Sequence, residues 1–381
     1  MAGIYIHIPF CRQACHYCNF HFSTSFTLKD EMIEALKKEI FLSKDDNYRN
    51  QEIIETIYFG GGTPSLLDKR AIEDLLSAIK NNFTINPRAE ITFEANPDDI
   101  NSENLKTWKE AGINRLSIGI QSFIERDLEW MNRIHSAADA EACIFKVKDA
   151  GFGNFSVDLI YGIPSLSKDE WRGNVQKIIN LGAPHVACYA LTVEHGTALE
   201  KMINLKKKAN VDLDEQAKQF LLLVEWMQDA GYEHYEISNF AKPGFRSRHN
   251  SSYWRGNSYI GIGPSAHSYS GKSRKWNIAN NALYIQSIKQ NVIPFEEEIL
   301  TKTQRLNEYI MTSLRTMEGL DLRFIENNFS VRDSSRIEND AKIYINKNIM
   351  IVNNGNLILT EQGKLFADGI ASDLFEVGPK T

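Results

Sequence analysis

The chain has 381 residues, enough for two or three domains or for one large α/β barrel with an appendage. Its composition, 43% hydrophobic and 24% charged, is that of a globular protein, and 43 Lys and Arg against 49 Asp and Glu give a net charge of -6, with no basic excess to grip a phosphate backbone; nucleic acid is excluded as a general partner. The first ten residues, MAGIYIHIPF, hold neither a basic region nor a cleavage site, no stretch reaches the roughly 18 apolar residues of a spanning helix, and five cysteines do not make a disulfide scaffold, so a cytoplasmic location is expected.

In chain order, β-rich runs at 3–8, 56–59, 90–94, 115–120, 155–160 and 185–190 alternate with amphipathic stretches such as 28–41 and 70–79. This is the βαβα pattern of a parallel sheet, and six strand-helix units predict a TIM-like, partial β/α barrel over residues 1–205. In the first strand Ile4, Ile6 and Ile8 share one face and Tyr5 and His7 the other. Residues 206–295 change in character: a Lys206-Lys207-Lys208 run, a helix over 212–230, then a stretch rich in Gly, Ser, Asn and aromatic residues, read as a segment flanking the barrel. Residues 296–381 predict a helical, winged-helix-like module with a hairpin turning at Asn353-Asn354-Gly355-Asn356. Such modules often bind DNA, but residues 298–381 hold ten Lys and Arg against twelve Asp and Glu, the wrong balance for that role.

The strand runs end in chemistry-bearing residues. Cys11, Cys15 and Cys18 follow the first, Gly60-Gly61-Gly62-Thr63-Pro64 the second; Glu94 closes the third, Gln121 follows the fourth, and Asp158 interrupts the apolar fifth. In β/α barrels the carboxyl ends of the strands form the working face, so these residues are expected on one rim. Three thiols in one short loop suit an iron-sulfur cluster. Zinc, with His7, His16 or His21 as fourth ligand, and three buried thiols without a metal are the competing readings. Cys143 and Cys188 fall in an amphipathic helix and an apolar strand and read as buried thiols.

The stretch from Tyr5 to Cys18, with Tyr58-Phe59-Gly60-Gly61-Gly62-Thr63-Pro64, Arg115 to Phe123, Asn132-Arg133-Ile134-His135, Val157 to Pro164 and Tyr235 to Phe240, resembles in order the radical S-adenosylmethionine (SAM) superfamily, specifically its HemN/HemW branch. The resemblance covers nearly the whole chain. It implies that Cys11, Cys15 and Cys18 hold a 4Fe-4S cluster whose open iron binds the amino and carboxylate groups of SAM, which one-electron transfer cleaves to a 5'-deoxyadenosyl radical. On that reading Gly61 and Gly62 admit the methionine moiety, Thr63 adds a hydroxyl, Glu94 accepts from the amino group, Arg133 pairs with the carboxylate, Gln121 and Asp158 bond the ribose, and Tyr5 lies beside the SAM and substrate region.

Within the branch, coproporphyrinogen oxidases carry a further cysteine two residues after the third, where this chain has Phe20, and a long N-terminal extension, where only ten residues precede Cys11. Conversely, His249-Asn250-Ser251-Ser252-Tyr253-Trp254 resembles the His-Asn-x-x-Tyr-Trp motif of HemW-type heme chaperones. This implies that heme is bound, with His249 as a candidate axial ligand and Tyr253 and Trp254 offering flat faces, and passed to acceptor hemoproteins such as membrane-associated respiratory enzymes. The alternative is a porphyrin-modifying enzyme, either the oxidase or a heme-degrading relative. A homodimer is left open.

Overall fold

In the computed structural model, which describes residues 2–45 and 52–376, strand β1 (Ala2–Ile8) sets the two faces of the sheet. Ile4, Ile6 and Ile8 are wholly buried in a core shared with Met32, Leu36 and Ile40 of helix α1 (Lys29–Leu42), while Tyr5 and His7 take the opposite face. The pattern repeats through β2 (Ile54–Gly61), α2 (Lys69–Asn82), β3 (Ile85–Ala95), α3 (Ser102–Ala111), β4 (Arg115–Gln121), α4 (Glu125–Met131), α5 (Ala137–Asp149), β5 (Phe155–Tyr161), α6 (Lys168–Leu181) and β6 (His185–Ala190). Local signals mark the helix ends. Asp68 accepts from the Ala71 amide to start α2, Ser167 and Glu170 form a capping box on α6, and Gly182 closes α6 at φ 68°. Cys143 and Cys188 are buried.

Strands β1 to β6 pair in parallel and in sequence order, with Tyr5 beside Tyr58, Phe59 beside Phe93 and Leu116 beside Phe155, so their carboxyl ends all lie at one edge. The remainder of the chain does more than flank this sheet. After α7 (Ala198–Asn204) and α8 (Leu213–Asp229), β7 (Glu233–Glu236) and β8 (Asn239–Ala241) extend it antiparallel beyond β6. Following α9 (Arg248–Trp254), β9 (Tyr259–Ile262) returns to the far side, parallel to β1, and β10 (His267–Tyr269), β11 (Ser273–Asn277) and, after α10 (Asn281–Lys289), β12 (Phe295–Ile299) continue outward. The result is one twelve-stranded sheet with β12 and β7 as its edges, an open relative of the closed barrel. Buried Glu39 on α1 ties this extension down. It accepts from Asn277 Nδ2 (2.6 Å), the Gly263 amide (2.7 Å) and the Tyr284 hydroxyl, and burial pushes its carboxyl up to about 7.

A second hydrophobic core, drawing on Leu306, Ile310, Ile325, Ile337, Leu357 and Leu374, lies under α11 (Lys302–Leu314), β13 (Leu320–Asp321), α12 (Leu322–Asn328), α13 (Val331–Asn346), β14 (Met350–Asn353), β15 (Asn356–Leu359), α14 (Glu361–Lys364) and α15 (Ala367–Asp373). Its hairpin turns on Asn354 and Gly355, both at positive φ (52° and 86°), the conformation a two-residue turn demands. Among the described residues no helix is long and apolar enough to cross a membrane.

Candidate functional site

The carboxyl ends of β1 to β6 surround a polar cavity of about 420 Å³. Its most unusual wall is the loop after β1. Ser23 donates its amide to Pro9 O (2.9 Å) and Cys11 donates to Ser23 O (3.0 Å), pinching residues 11–23 into a loop whose three cysteines all line the cavity, half-buried. Thr63 Oγ1 lies 3.5 Å from Cys11 Sγ, and Arg133 Nη1 donates to Cys15 Sγ at 3.3 Å. Burial, with the other thiols nearby, pushes Cys18 up to about 11, so in the protein alone this thiol is neutral; a bound metal removes such protons outright.

The glycines after β2 act on the chain itself. A Cβ on Gly61, at φ 105°, would stand 2.5 Å from the His7 ring, and one on Gly62 would stand 2.5 Å from Phe10 O. The close approach expected of them toward a ligand is seen here between the β2 end and the cysteine loop. Across the cavity Glu94 accepts from the Tyr58 hydroxyl (2.7 Å) and the Gly61 amide (3.2 Å), and burial, aided by the charge of Asp158, pushes it up to about 7. Asp158 is likewise pushed up to about 7 by burial, against the pull of Arg115 and Arg133. Gln121 stands at φ 67° where the pairing of β4 with β5 is irregular, a strained backbone that turns its side chain to the cavity.

Arg133 joins these groups. Its Nη2 donates to Asn96 Oδ1 (2.7 Å) and Gly119 O (2.8 Å), whereas buried Nε has no partner among the described residues. A buried unpaired donor is costly, so the guanidinium is built to receive one more acceptor. Three thiols, a guanidinium with a free N–H and two carboxyls raised by burial form a donor set that fits a cluster carrying a ligand with both a carboxylate and cationic groups. Asn96, which also donates to Thr63 Oγ1 at 3.4 Å, was not foreseen; it follows Glu94 by two residues on the β3 end and no motif singles it out.

Tyr5 and His249 are not among the residues lining this cavity. Tyr5 lines a second, larger cavity of about 860 Å³, bounded by α9, β9 to β11 and the facing side of α11 and α12. Its hydroxyl meets His7 Nδ1 at 3.2 Å and its ring stacks on Tyr58 at 6.0 Å. His249 departs further from expectation. The ring is 1% exposed, Nδ1 is bonded to Thr56 Oγ1 and Nε2 to the Tyr253 hydroxyl, both at 2.8 Å, and burial holds it down to about 3. With both nitrogens engaged it has no lone pair to offer iron in this conformation. It is instead a pin that fastens α9 to β2, helped by Glu90 accepting the amides of Arg248 and His249 at 3.1 and 3.0 Å. The following Tyr253 and Trp254 do line the cavity. Asn19 and Phe20 line both cavities, so the cysteine loop is their common wall.

An open, largely parallel β/α sheet with a three-cysteine loop over its strand ends defines a radical SAM protein, and residues 5–178 match the Radical SAM superfamily while residues 300–366 match the HemN C-terminal domain. The chain is 33% identical over 379 residues to "Heme chaperone HemW" of Mycobacterium tuberculosis (strain ATCC 25618 / H37Rv), covering 98% of this chain and 94% of the relative. It is 32% identical to the protein of the same name from Bacillus subtilis (strain 168), covering 97% and 98%. The chain belongs to the HemW family. Among solved structures, the coproporphyrinogen III oxidase HemN from Escherichia coli shares the fold, with a TM-score of 0.83 over 98% of this chain and 90% of that one, at 22% identity.

Proposed function

We propose that this chain is a cytoplasmic heme chaperone: it binds heme in the aromatic cavity and passes it to acceptor hemoproteins, respiratory enzymes among them, under the control of a cluster and SAM held in the polar cavity. The radical SAM domain implies a 4Fe-4S cluster and SAM. When bound, that pair supplies one-electron chemistry. On this reading Cys11, Cys15 and Cys18 ligate three irons, and the free Nε of Arg133 takes the SAM carboxylate. Glu94 accepts from the amino group, while Gln121 and Asp158 bond the ribose. Gly61 and Gly62 keep the strand end narrow, and Thr63 steadies Cys11.

One observation carries the choice of chaperone: a separate cavity of about 860 Å³, walled by Tyr253, Trp254 and other rings, abuts the cysteine loop at Phe20, where the oxidases would have a further cysteine. Its size and flat apolar walls suit a porphyrin, and ligand sites are typically concave, apolar and supplied with a few polar groups. The relatives' name, heme chaperone, agrees with it. The test is to add heme to anaerobically reconstituted protein and, separately, coproporphyrinogen III with SAM and reductant. A Soret band shifted from that of free heme, with no protoporphyrinogen IX formed, is expected. Efficient decarboxylation of coproporphyrinogen would overturn the chaperone reading.

A further inference from the structure

We propose that His267 is the axial ligand to heme iron and that Arg305, with Arg274, takes the heme propionates, an assignment that rests on the heme-cavity reading above. Three histidines line the aromatic cavity: His7, His21 and His267. His7 spends one ring nitrogen on the Tyr5 hydroxyl and the other on His21 O (2.8 Å). His21 bonds Asn281 Oδ1 through Nε2 at 2.8 Å, leaving it one nitrogen and a fixed orientation. His267 differs from both. Its ring is exposed to the cavity and stacks on Trp276 at 6.3 Å, and among the described residues neither ring nitrogen has a hydrogen-bond partner. Burial, with Arg274 nearby, holds it below the ordinary histidine value, so at neutral pH the imidazole is uncharged, the form that ligates iron.

The strands place the cations at a fixed offset from this ring. On β10, His267 and Tyr269 share one face, and the antiparallel pairing with β11 sets Trp276 opposite His267 and Arg274 opposite Tyr269. Arg274 therefore sits two residues along the same face from the imidazole, about 7 Å away along the strand. Arg274 is ion-paired with Glu308 on α11, which neutralises that carboxylate. Arg305, one turn earlier on α11, also lines the cavity, and its buried Nε has no partner among the described residues. One unengaged imidazole, a buried guanidinium N–H awaiting an acceptor and a ring of aromatic faces are what an iron porphyrin with two carboxylates requires.

The test is an anaerobic hemin titration of the full chain followed by Soret absorption and magnetic circular dichroism. The variants are His267→Ala, His267→Gly with and without added imidazole, Arg305→Ala and His21→Ala, with iron content and SAM binding read in parallel to show that each is folded. His267→Ala is expected to shift the Soret band and weaken binding at least tenfold. Imidazole should restore the band in His267→Gly. Arg305→Ala should weaken binding without moving the band, and His21→Ala should leave the band in place. If the unaltered protein binds hemin and His267→Ala keeps both band and affinity, the ligand assignment falls while the heme-cavity reading stands; unchanged affinity in Arg305→Ala removes the propionate assignment. If the unaltered protein binds no hemin, both readings fall together.

Discussion

The two cavities share a wall and are built in opposite ways. The polar one is assembled from six parallel strands that follow one another through the first half of the chain and from the loops after them. The aromatic one gathers residues 5–21, 253–274 and 305–329, which meet only because β9 to β11 join the far side of β1 and α11 packs beside them. The first takes Glu94, Gln121 and Asp158 from the parallel strands themselves. The second opens between the sheet and a module with its own core, a place where a large ligand can enter and leave. The proposed function, with one ligand set kept and another handed over, would use both kinds of site.

The sharpest separation of the two comes from removing one of the proposed cluster ligands. Anaerobic reconstitution of the unaltered protein should give about four iron and four sulfide per chain, and Cys15→Ser should lose most of that iron while hemin still saturates the aromatic cavity. Stoichiometric zinc with no uptake of iron would sink the cluster reading.

A smaller effect is expected at Arg133. If Arg133 pairs with the SAM carboxylate as proposed, losing that charge-assisted bond in Arg133→Ala should cost about 1.5 to 3 kcal/mol, or about 10- to 150-fold in affinity, measurable by calorimetry. Iron content should persist, because the guanidinium touches Cys15 Sγ without being a ligand. Equal SAM affinity would make Arg133 a structural residue holding Asn96 and the Gly119 carbonyl.

For His249 the expected change is in stability, not in heme spectrum. His249→Ala strands the Thr56 and Tyr253 hydroxyls and opens space between α9 and β2, at a cost of about 1 to 3 kcal/mol by thermal or denaturant unfolding. The Soret position of the heme complex should stay where it is. A shifted band with unchanged stability would restore His249 as the iron ligand.

A last effect is a pH dependence confined to the polar cavity. Glu94 and Asp158 are both raised to about 7 from ordinary values of 4.5 and 3.8, so the SAM-free protein keeps their protons up to near neutrality. Their contribution to its stability is full below the ordinary carboxylate values and is lost as pH rises through 7. Binding of a sulfonium and an ammonium favours the ionised carboxylates, so SAM affinity should rise across the same window, by at most about tenfold per pH unit for each proton released. Hemin affinity should not follow that curve.

The contrast also explains what the sequence discloses. Strands β1, β2, β4, β5 and β6 are legible to within about two residues because both of their faces are buried or line the cavity. β3 begins at Ile85, five residues before its apolar pattern does, because its first four residues face solvent or lie half-covered and carry no period. The added strands β7 to β12 are each three to five residues long, too short for alternation to show. The rim residues from Cys11 to Asp158 are foreseeable as polar interruptions of apolar runs. His249 is not, because its nitrogens are taken by Tyr253, four residues on, and by Thr56, 193 residues away. His267, Arg274 and Arg305 belong to no motif; only tertiary docking brings them to one space.

The central claim, that heme and SAM occupy two cavities of one HemW-family chain, is tested most directly by filling one of them. Thr312 on α11 lines the aromatic cavity alone, and Thr312→Trp places an indole in that space. Parallel hemin and SAM titrations of the reconstituted variant and the unaltered protein should show hemin binding lost or weakened at least tenfold, with SAM affinity and iron content unchanged. Undiminished hemin binding in the filled variant, with the SAM site intact, would place heme elsewhere and contradict the account.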